Sequence, residues 1–229
     1  MAWIQRPVYR DRQEAGERLA GLLEPLGLER PVVLGAPRGG VAVGFPVARR
    51  LGAPLDVVLA RKLPAPQEPE LGFGAVAEDG TVVVDRELAR RLGLGAERVA
   101  EIVERVRAEL VERGRRYRGA RAAVSVAGRT AIVVDDGLGT GVTMEAAVAA
   151  ARSRGAVRVV AAAPVSSTEA AERLRRVADD FVCPVVDPFF TGVGAYYGEF
   201  PQLTDEEVVA LLEAAREWEE GAGSAPPGA

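Results

Sequence analysis

Apolar residues recur along this chain in two alternating rhythms. Near Asp11 a helical rhythm opens, placing Leu19, Leu22, Leu23 and Leu26 on one face. The run PVVLG (31–35) is apolar throughout and reads as a buried strand; APRGG after it reads as a tight turn. GVAVGFPVARRLG reads as a helix ending at Gly52, in which Pro46 predicts a kink or an early break. LDVVLA (55–60) is a second buried strand. RKLPAPQEPELGFG (61–74) carries three prolines and no period, which predicts a loop. GAVAEDGTVVVD alternates about Asp79-Gly80, a strong hairpin signal. A helix is expected from Ala96 to Arg113, with Val99, Ile102, Val103, Val106 and Leu110 as its apolar stripe. Strand TAIVVDD, helix GVTMEAAVAAARSRG, strand VRVVAAAPV, helix STEAAERLRRVA and strand DFVCPVV follow. A last helix starts at Thr204, with Glu207 completing a capping box, and ends near Glu220; the tail from 221 to 229 is expected to be disordered.

Strands that are apolar throughout and alternate with helices predict an α/β fold with a doubly wound parallel sheet. Residues 1–220 read as one domain, with no repeat and no linker between large units. In such sheets ligands bind beyond the carboxyl ends of the strands. Three polar turns fall at those ends: APRGG, ARKLP and DDGLGTG.

Composition narrows the chemistry. The chain has 229 residues and no histidine, which excludes Ser-His-Asp hydrolases, Cys-His proteases and zinc sites built on imidazole. Cys183 is the single cysteine; it sits in an apolar run with no histidine to activate it and reads as a small buried hydrophobe. The net charge of -4 offers no global attraction for nucleic acid, so such a role would need a local basic patch. No run of 18 apolar residues exists to cross a membrane, and the opening MAWIQRPVYRDR lacks the apolar core of a signal peptide, so a cytoplasmic protein is expected. Asparagine is absent and Lys62 is the only lysine, a bias that fits a thermophile or a GC-rich genome.

The stretch AIVVDDGLGTGVTM (131–144) sets the central problem: two acids, Asp135 and Asp136, precede a glycine-rich turn. Gly137, Gly139 and Gly141 let the backbone turn several N–H groups inward, the following helix adds its positive end, and Thr140 and Thr143 add hydroxyls. That is a site for one phosphate. A Walker turn would need a lysine here, and a dinucleotide fingerprint would need a glycine where Val142 stands. The acids become reasonable if the ligand carries vicinal hydroxyls or a magnesium ion a few ångströms from its phosphate. A ribose 5-phosphate has that form.

This stretch resembles the signature of the type I phosphoribosyltransferases: four hydrophobic residues, two acids, a short variable stretch, then Thr-Gly-x-Thr. The chain is most similar to the branch of that family whose acceptor is unassigned, and the likeness extends over residues 30–200. The resemblance implies a core over 30–185 and a hood from 61–80 and 186–203. It implies that Asp135, Asp136, Gly137, Gly139, Thr140, Gly141 and Thr143 hold the 5-phosphate and ribose of phosphoribosyl pyrophosphate. Asp135 and Asp136 would also hold Mg2+, largely through water and the ligand. GAPRGG occupies the place of the family's pyrophosphate loop, often built on a non-proline cis peptide; Arg38, Gly39 and Gly40 would serve there, and Arg61 and Lys62 would meet the same group. A solvated basic pair is the plain alternative for Arg61-Lys62. Phe189, Phe190, Tyr196 and Tyr197 fall in the expected hood, where they would stack on a planar acceptor, cap the core or form a dimer contact. The arginine-rich RGRRYRGAR (113–121) reads as a mobile lid, a solvated helix end or, less readily, an RNA patch.

The implied reaction moves ribose 5-phosphate to a nitrogen acceptor with release of pyrophosphate, with Asp135, Asp136, Arg38 and Lys62 as its principal residues. The 6-oxopurine members carry an acid where this chain has Gly139, so the resemblance points to another base or small acceptor. Many relatives dimerise, and a homodimer is expected. A non-catalytic sensor of phosphoribosyl pyrophosphate or nucleotides, with or without RNA binding, is the second reading. A hydride-transfer enzyme is a third, disfavoured by Val142 and the acid pair.

Overall fold

The computed structural model describes residues 7–223. The opening six residues, where no leader was expected, and residues 224–229 lie outside them; the stretch expected to be disordered from 221 is instead helical as far as Gly223, where the last helix ends.

Helix α1 (Arg12–Leu23) is capped by Asp11, whose side chain accepts from Glu14 N–H, and packs on α2 (Gly39–Leu51). Strand β1 (Val32–Gly35) precedes α2 and β2 (Leu55–Val57) follows it. Pro46 does not break α2, which runs on to Leu51 and closes on Gly52 at φ +57°. Gly16 of α1 makes this crossing possible: a Cβ there would lie 2.4 Å from both Pro46 Cγ and the Val43 carbonyl oxygen.

The 61–74 stretch is not a loop. It forms β3 (Ala60–Ala65) and most of β4 (Glu68–Ala77), and β5 (Val82–Val84) completes a three-stranded antiparallel sheet in the order β3-β4-β5. Pro64 is tolerated because β3 is an edge strand and its pairing shifts register on both sides of that residue. The hairpin turn falls at Asp79-Gly80 as the alternation predicts, with Gly80 at φ +92°. A short helix not expected from the sequence, α3 (Arg86–Arg91), is capped by Asp85. Helix α4 (Ala96–Arg118) runs five residues past the expected end and stops at Gly119, φ +61°.

Strands β6 (Thr130–Val134), β7 (Arg158–Ala162) and β9 (Asp180–Val182) join β1 and β2 in a five-stranded parallel sheet, order β2-β1-β6-β7-β9. Helices α5 (Val142–Ser153) and α6 (Thr168–Val177) lie between its later strands in sequence. The period-2 alternation sorts side chains to two faces. Val33, Leu55, Val57, Ile132, Val134 and Val160 join the core of α1, α2 and α7 (Asp205–Gly223). Val32, Leu34, Ala131, Val133 and Val159 join the core of α5 and α6. This is the doubly wound arrangement the sequence predicts.

Two expected strands each divide. After β7, the chain continues as β8 (Val165–Ser167); after β9, it continues as β10 (Val185–Asp187). Pro164 and Pro184 stand at the two breaks, and β8 and β10 pair in a separate two-stranded parallel sheet. That small sheet carries Ser166 and Ser167 beside Leu138 in the glycine turn. The capping box of α7 is formed as predicted: Thr204 N–H donates to Glu207 Oε2 (2.6 Å) and Glu207 N–H to Thr204 Oγ1 (3.2 Å).

Candidate active site

Strand order reverses between β1 and β6: β2 lies on one side, β7 and β9 on the other. A crevice opens outside the carboxyl ends of strands at such a point. The two turns leaving it are Ala36–Arg38 and Asp135–Gly141. They touch through glycine: a Cβ on Gly40 would lie 2.3 Å from the Val134 carbonyl oxygen, and one on Gly39 would lie 1.8 Å from Asp136 Oδ2. The Pro37–Arg38 peptide in the first turn is cis.

The second turn is braced from β8 and α6. Leu138 N–H donates to the Val165 carbonyl (3.0 Å) and Ser167 N–H to the Leu138 carbonyl (2.9 Å). Ser167 Oγ donates to the Gly139 carbonyl and Arg173 Nε to the Thr140 carbonyl (2.9 Å), while Arg173 also pairs with Glu145 (2.9 Å). With its carbonyls thus tied outward, the N–H groups of Gly139, Thr140 and Gly141 have no backbone acceptor among the described residues. Gly141, at φ +74°, caps α5. Gly137 is close-packed, since a Cβ would meet Val193 at 2.6 Å, whereas at Gly139 the nearest atom is a Phe190 ring carbon at 3.9 Å.

The two acids have different surroundings. Asp136 N–H donates to Asp135 Oδ1 (2.8 Å). Burial pushes the Asp135 carboxyl well above the ordinary carboxylate range, and the adjacent Asp136 charge adds to it. Asp136 is held by an ion pair that sequence reading missed: Arg12 Nε donates to its Oδ2 at 2.8 Å. Tyr197 OH donates to the Asp136 carbonyl (2.7 Å).

Arg61 and Lys62, expected to meet the same group, lie on opposite faces of β3. Adjacent strand residues face opposite ways, and the two line different pockets. Arg61 pairs with Glu109 and shares a pocket of about 290 Å³ with Arg113, Arg116 and Asp205. Lys62 lies with its stem over Gly72 and lines a pocket of about 300 Å³ with Thr140, Val142, Glu169 and Arg173. Arg38 is exposed and stands 3.9 Å from Asp205 Oδ1.

The arginine-rich stretch is not a wholly solvated end. Tyr117 is buried and its OH donates to Asp205 (2.6 Å), which also accepts from Arg113 (3.0 Å). Arg118 is buried between Asp56 and Glu78. Of the four aromatics assigned to the hood, two are not available for stacking. Tyr196 and Tyr197 are buried against Tyr9 and Val165, with the Tyr196 hydroxyl bonded to Asp187. Their rings fill this small core, and the Tyr197 hydroxyl is bonded to the Asp136 carbonyl. Phe190 is stacked on Tyr196 (5.7 Å), and Phe189 is 84% exposed.

The phosphoribosyl transferase domain model matches residues 12–197. The chain belongs to this family. Provisionally named phosphoribosyl transferases from two strains of Mycobacterium tuberculosis are 42% identical over 208 residues, 91% of this chain and 47% of theirs, so the chain spans about half the length of these curated relatives. The crystal structure of TT1426 from Thermus thermophilus is 47% identical, with TM-score 0.79, covering 92% of this chain and 98% of that one. A hypothetical protein from Neisseria gonorrhoeae, solved with bound ppGpp, shares the fold at 15% identity and TM-score 0.50, over 94% of this chain and all of that one. Among the described residues, no helix is long and apolar enough to cross a membrane.

Proposed function

We propose that this phosphoribosyl transferase family member moves ribose 5-phosphate from phosphoribosyl pyrophosphate to a nitrogen acceptor and releases pyrophosphate. One observation carries the reading: an acid pair and a turn of unpaired N–H groups meet a second glycine turn at the point where strand order reverses. The 5-phosphate sits on the Gly139–Gly141 amides, with the Thr143 hydroxyl and the positive end of α5. Asp135 and Asp136 receive the ribose hydroxyls. Arg38, Gly39 and Gly40 receive the pyrophosphate, and Arg61 extends that cationic side. Lys62, on the other face of β3, serves the 5-phosphate side, a reassignment from the pyrophosphate.

The C1–oxygen bond to pyrophosphate breaks as the acceptor nitrogen's lone pair forms the new bond with inversion. The carboxylates balance positive charge at the sugar, and the cations hold the leaving group. Two adjacent carboxylates are hard oxygen donors that suit Mg2+, and among the described residues no group of three or more acidic, cysteine or histidine side chains is placed to hold a metal ion. Asp135 and Asp136 would therefore hold the ion with water and ligand oxygens completing its shell, and the ion would supply neutralisation of pyrophosphate. Gly139 offers no acid to a purine N7, which favours an acceptor other than a 6-oxopurine. The exposed ring of Phe189 and the ring of Phe190 beside Gly139 suit a planar one. A cytoplasmic homodimer is part of the proposal, tested by sedimentation.

Calorimetric titration with phosphoribosyl pyrophosphate, with and without magnesium, tests the site. Micromolar, magnesium-dependent binding lost in Asp135→Asn/Asp136→Asn is expected. No binding by folded wild type at millimolar ligand overturns the assignment. A nucleotide-sensing regulator is the second reading, favoured by the engagement of Asp136 with Arg12 and consistent with the ppGpp bound by the Neisseria fold relative. Pyrophosphate release across a panel of bases and small amines supports the enzyme; binding without release supports the sensor.

A further inference from the structure

Arg12 stands 124 positions from the residue it grips. Its guanidinium is tied on three sides. Nε donates to Asp136 Oδ2 (2.8 Å), Nη1 donates to the Pro201 carbonyl (2.8 Å), and the plane lies 3.7 Å from the centre of the Phe200 ring. Both partners of the ion pair are largely sheltered, at 11% and 14% side-chain exposure. A planar, delocalised cation suits this place: its face lies on an aromatic ring while its edge donates to two acceptors in a fixed fork, a geometry a compact ammonium does not present.

The geometry leaves Asp136 with one usable oxygen. Oδ2 is occupied by Arg12 and covered by Gly39, where even a methyl group has no room. The backbone beneath is fixed as well, because Tyr197 OH holds the Asp136 carbonyl and the Tyr197 ring packs 4.9 Å from Phe200. Arg12, Phe200, Pro201 and Tyr197 therefore form one brace that joins α1 and the 197–201 segment to the acid. Among the described residues no cation pairs with Asp135, whose Oδ1 accepts from the N–H of Asp136.

We propose that Arg12 is a positioning residue that divides the labour of the acid pair. Resting on the phosphoribosyl pyrophosphate reading above, it turns Asp136 so that Oδ1 alone accepts a ribose hydroxyl. It also offsets part of the Asp136 charge, so that Asp135 takes the larger share of the metal-bound end of the ligand. Arg12 itself touches no ligand atom in this arrangement.

Calorimetry on wild type, Arg12→Gln, Arg12→Lys, Asp136→Asn and the Arg12→Gln/Asp136→Asn double variant decides it, with phosphoribosyl pyrophosphate and, separately, inorganic pyrophosphate as probes. Arg12→Gln is expected to weaken phosphoribosyl pyrophosphate at least tenfold and to leave pyrophosphate within twofold of wild type. Arg12→Lys should recover part of the loss, and the double variant should bind no worse than Asp136→Asn alone. Equal weakening of both probes points to general disruption and overturns the proposal, as does unchanged binding in Arg12→Gln or additive losses in the double variant. If wild type itself binds no phosphoribosyl pyrophosphate, the functional reading falls and this inference with it; if only Arg12→Gln behaves as wild type, the functional reading stands and this inference alone is lost.

Discussion

Gly39 lies against Asp136 so closely that a Cβ on the glycine would stand 1.8 Å from the carboxylate Oδ2. Nothing in its backbone dihedrals demands glycine; the demand is spatial, set by a residue almost a hundred positions later. Gly39→Ala should therefore displace Asp136 from Arg12 and abolish phosphoribosyl pyrophosphate binding. Overpacking of this kind costs about 1–3 kcal/mol of stability. Gly139→Ala is the control within the same site, because its Cβ would meet only a Phe190 ring carbon at 3.9 Å. It should melt within a degree or two of wild type. Thermal melts and titrations of the two variants check this, and equal tolerance at both positions would contradict the geometry.

Arg118 holds three elements together. Its guanidinium donates to Asp56 on β2 (3.0 Å), to Glu78 at the hairpin (2.7 Å) and to the Val57 carbonyl (2.9 Å), with 9% of its side chain exposed. Asp56 also accepts from Val124 N–H (2.8 Å). Arg118→Met would fill much of the volume but leave two acids facing each other without a cation. Removing one partner of such a buried set costs about 3–5 kcal/mol. Urea unfolding of Arg118→Met should show that loss. The triple replacement of Asp56, Glu78 and Arg118 by apolar residues should lose less than the single variant, which would identify unpaired charge as the cause.

These contacts mark what the sequence could and could not disclose. The β6 strand and its turn were legible because everything that defines them is local: an apolar run, two acids and three glycines. The burial of the sheet on both faces was legible from strands that are apolar throughout. The β3–β4 pair was not, because Pro64 sits on an edge strand at a register shift, where the usual rule against proline does not operate. The breaks at Pro164 and Pro184 were within reach of the same rule, yet each apolar run continued past its proline and read as one strand. Arg12 and Arg118 carry no local signal at all. One lies in the first turn of an ordinary amphipathic helix and the other in an arginine-rich helix end, and only tertiary folding reveals that each meets buried carboxylates.

Asp205 links the start of α7 to the end of α4. The hydrogen bond from Tyr117 OH lowers its carboxyl below the usual range, burial opposes this, and Arg113 reinforces the lowering. A depressed folded-state value means that the stabilisation is complete above the unfolded value, about 3.9, and is lost as pH falls through the folded one. Burial and the same contact push the Tyr117 phenol up to about 12. The neutral phenol is thus favoured by folding, and stability falls as pH rises from about 10 toward that value. Asp205→Asn should flatten the acid limb of a urea-midpoint profile between pH 5 and pH 2. An unchanged acid limb would show that this contact contributes nothing to it.

Asp135 has the opposite sign. Its folded-state carboxyl is raised by burial and by Asp136, so folding favours the neutral form. Below the unfolded value of about 3.9 no penalty exists. The penalty grows as pH rises from there to the folded value and is constant above it. Asp135→Asn mimics the neutral acid and keeps an oxygen for the Asp136 N–H, so it should be more stable than wild type at pH 7 by thermal melt. The gap should close as pH falls toward about 3.5. The same variant should lose phosphoribosyl pyrophosphate, since an amide cannot neutralise a metal-bound or positively charged ligand centre. A residue that weakens the free fold and is required only when ligand arrives is retained for the ligand, and functional sites commonly sacrifice stability in this way. An Asp135→Asn variant less stable than wild type at pH 7 would instead make the acid a structural support of the turn.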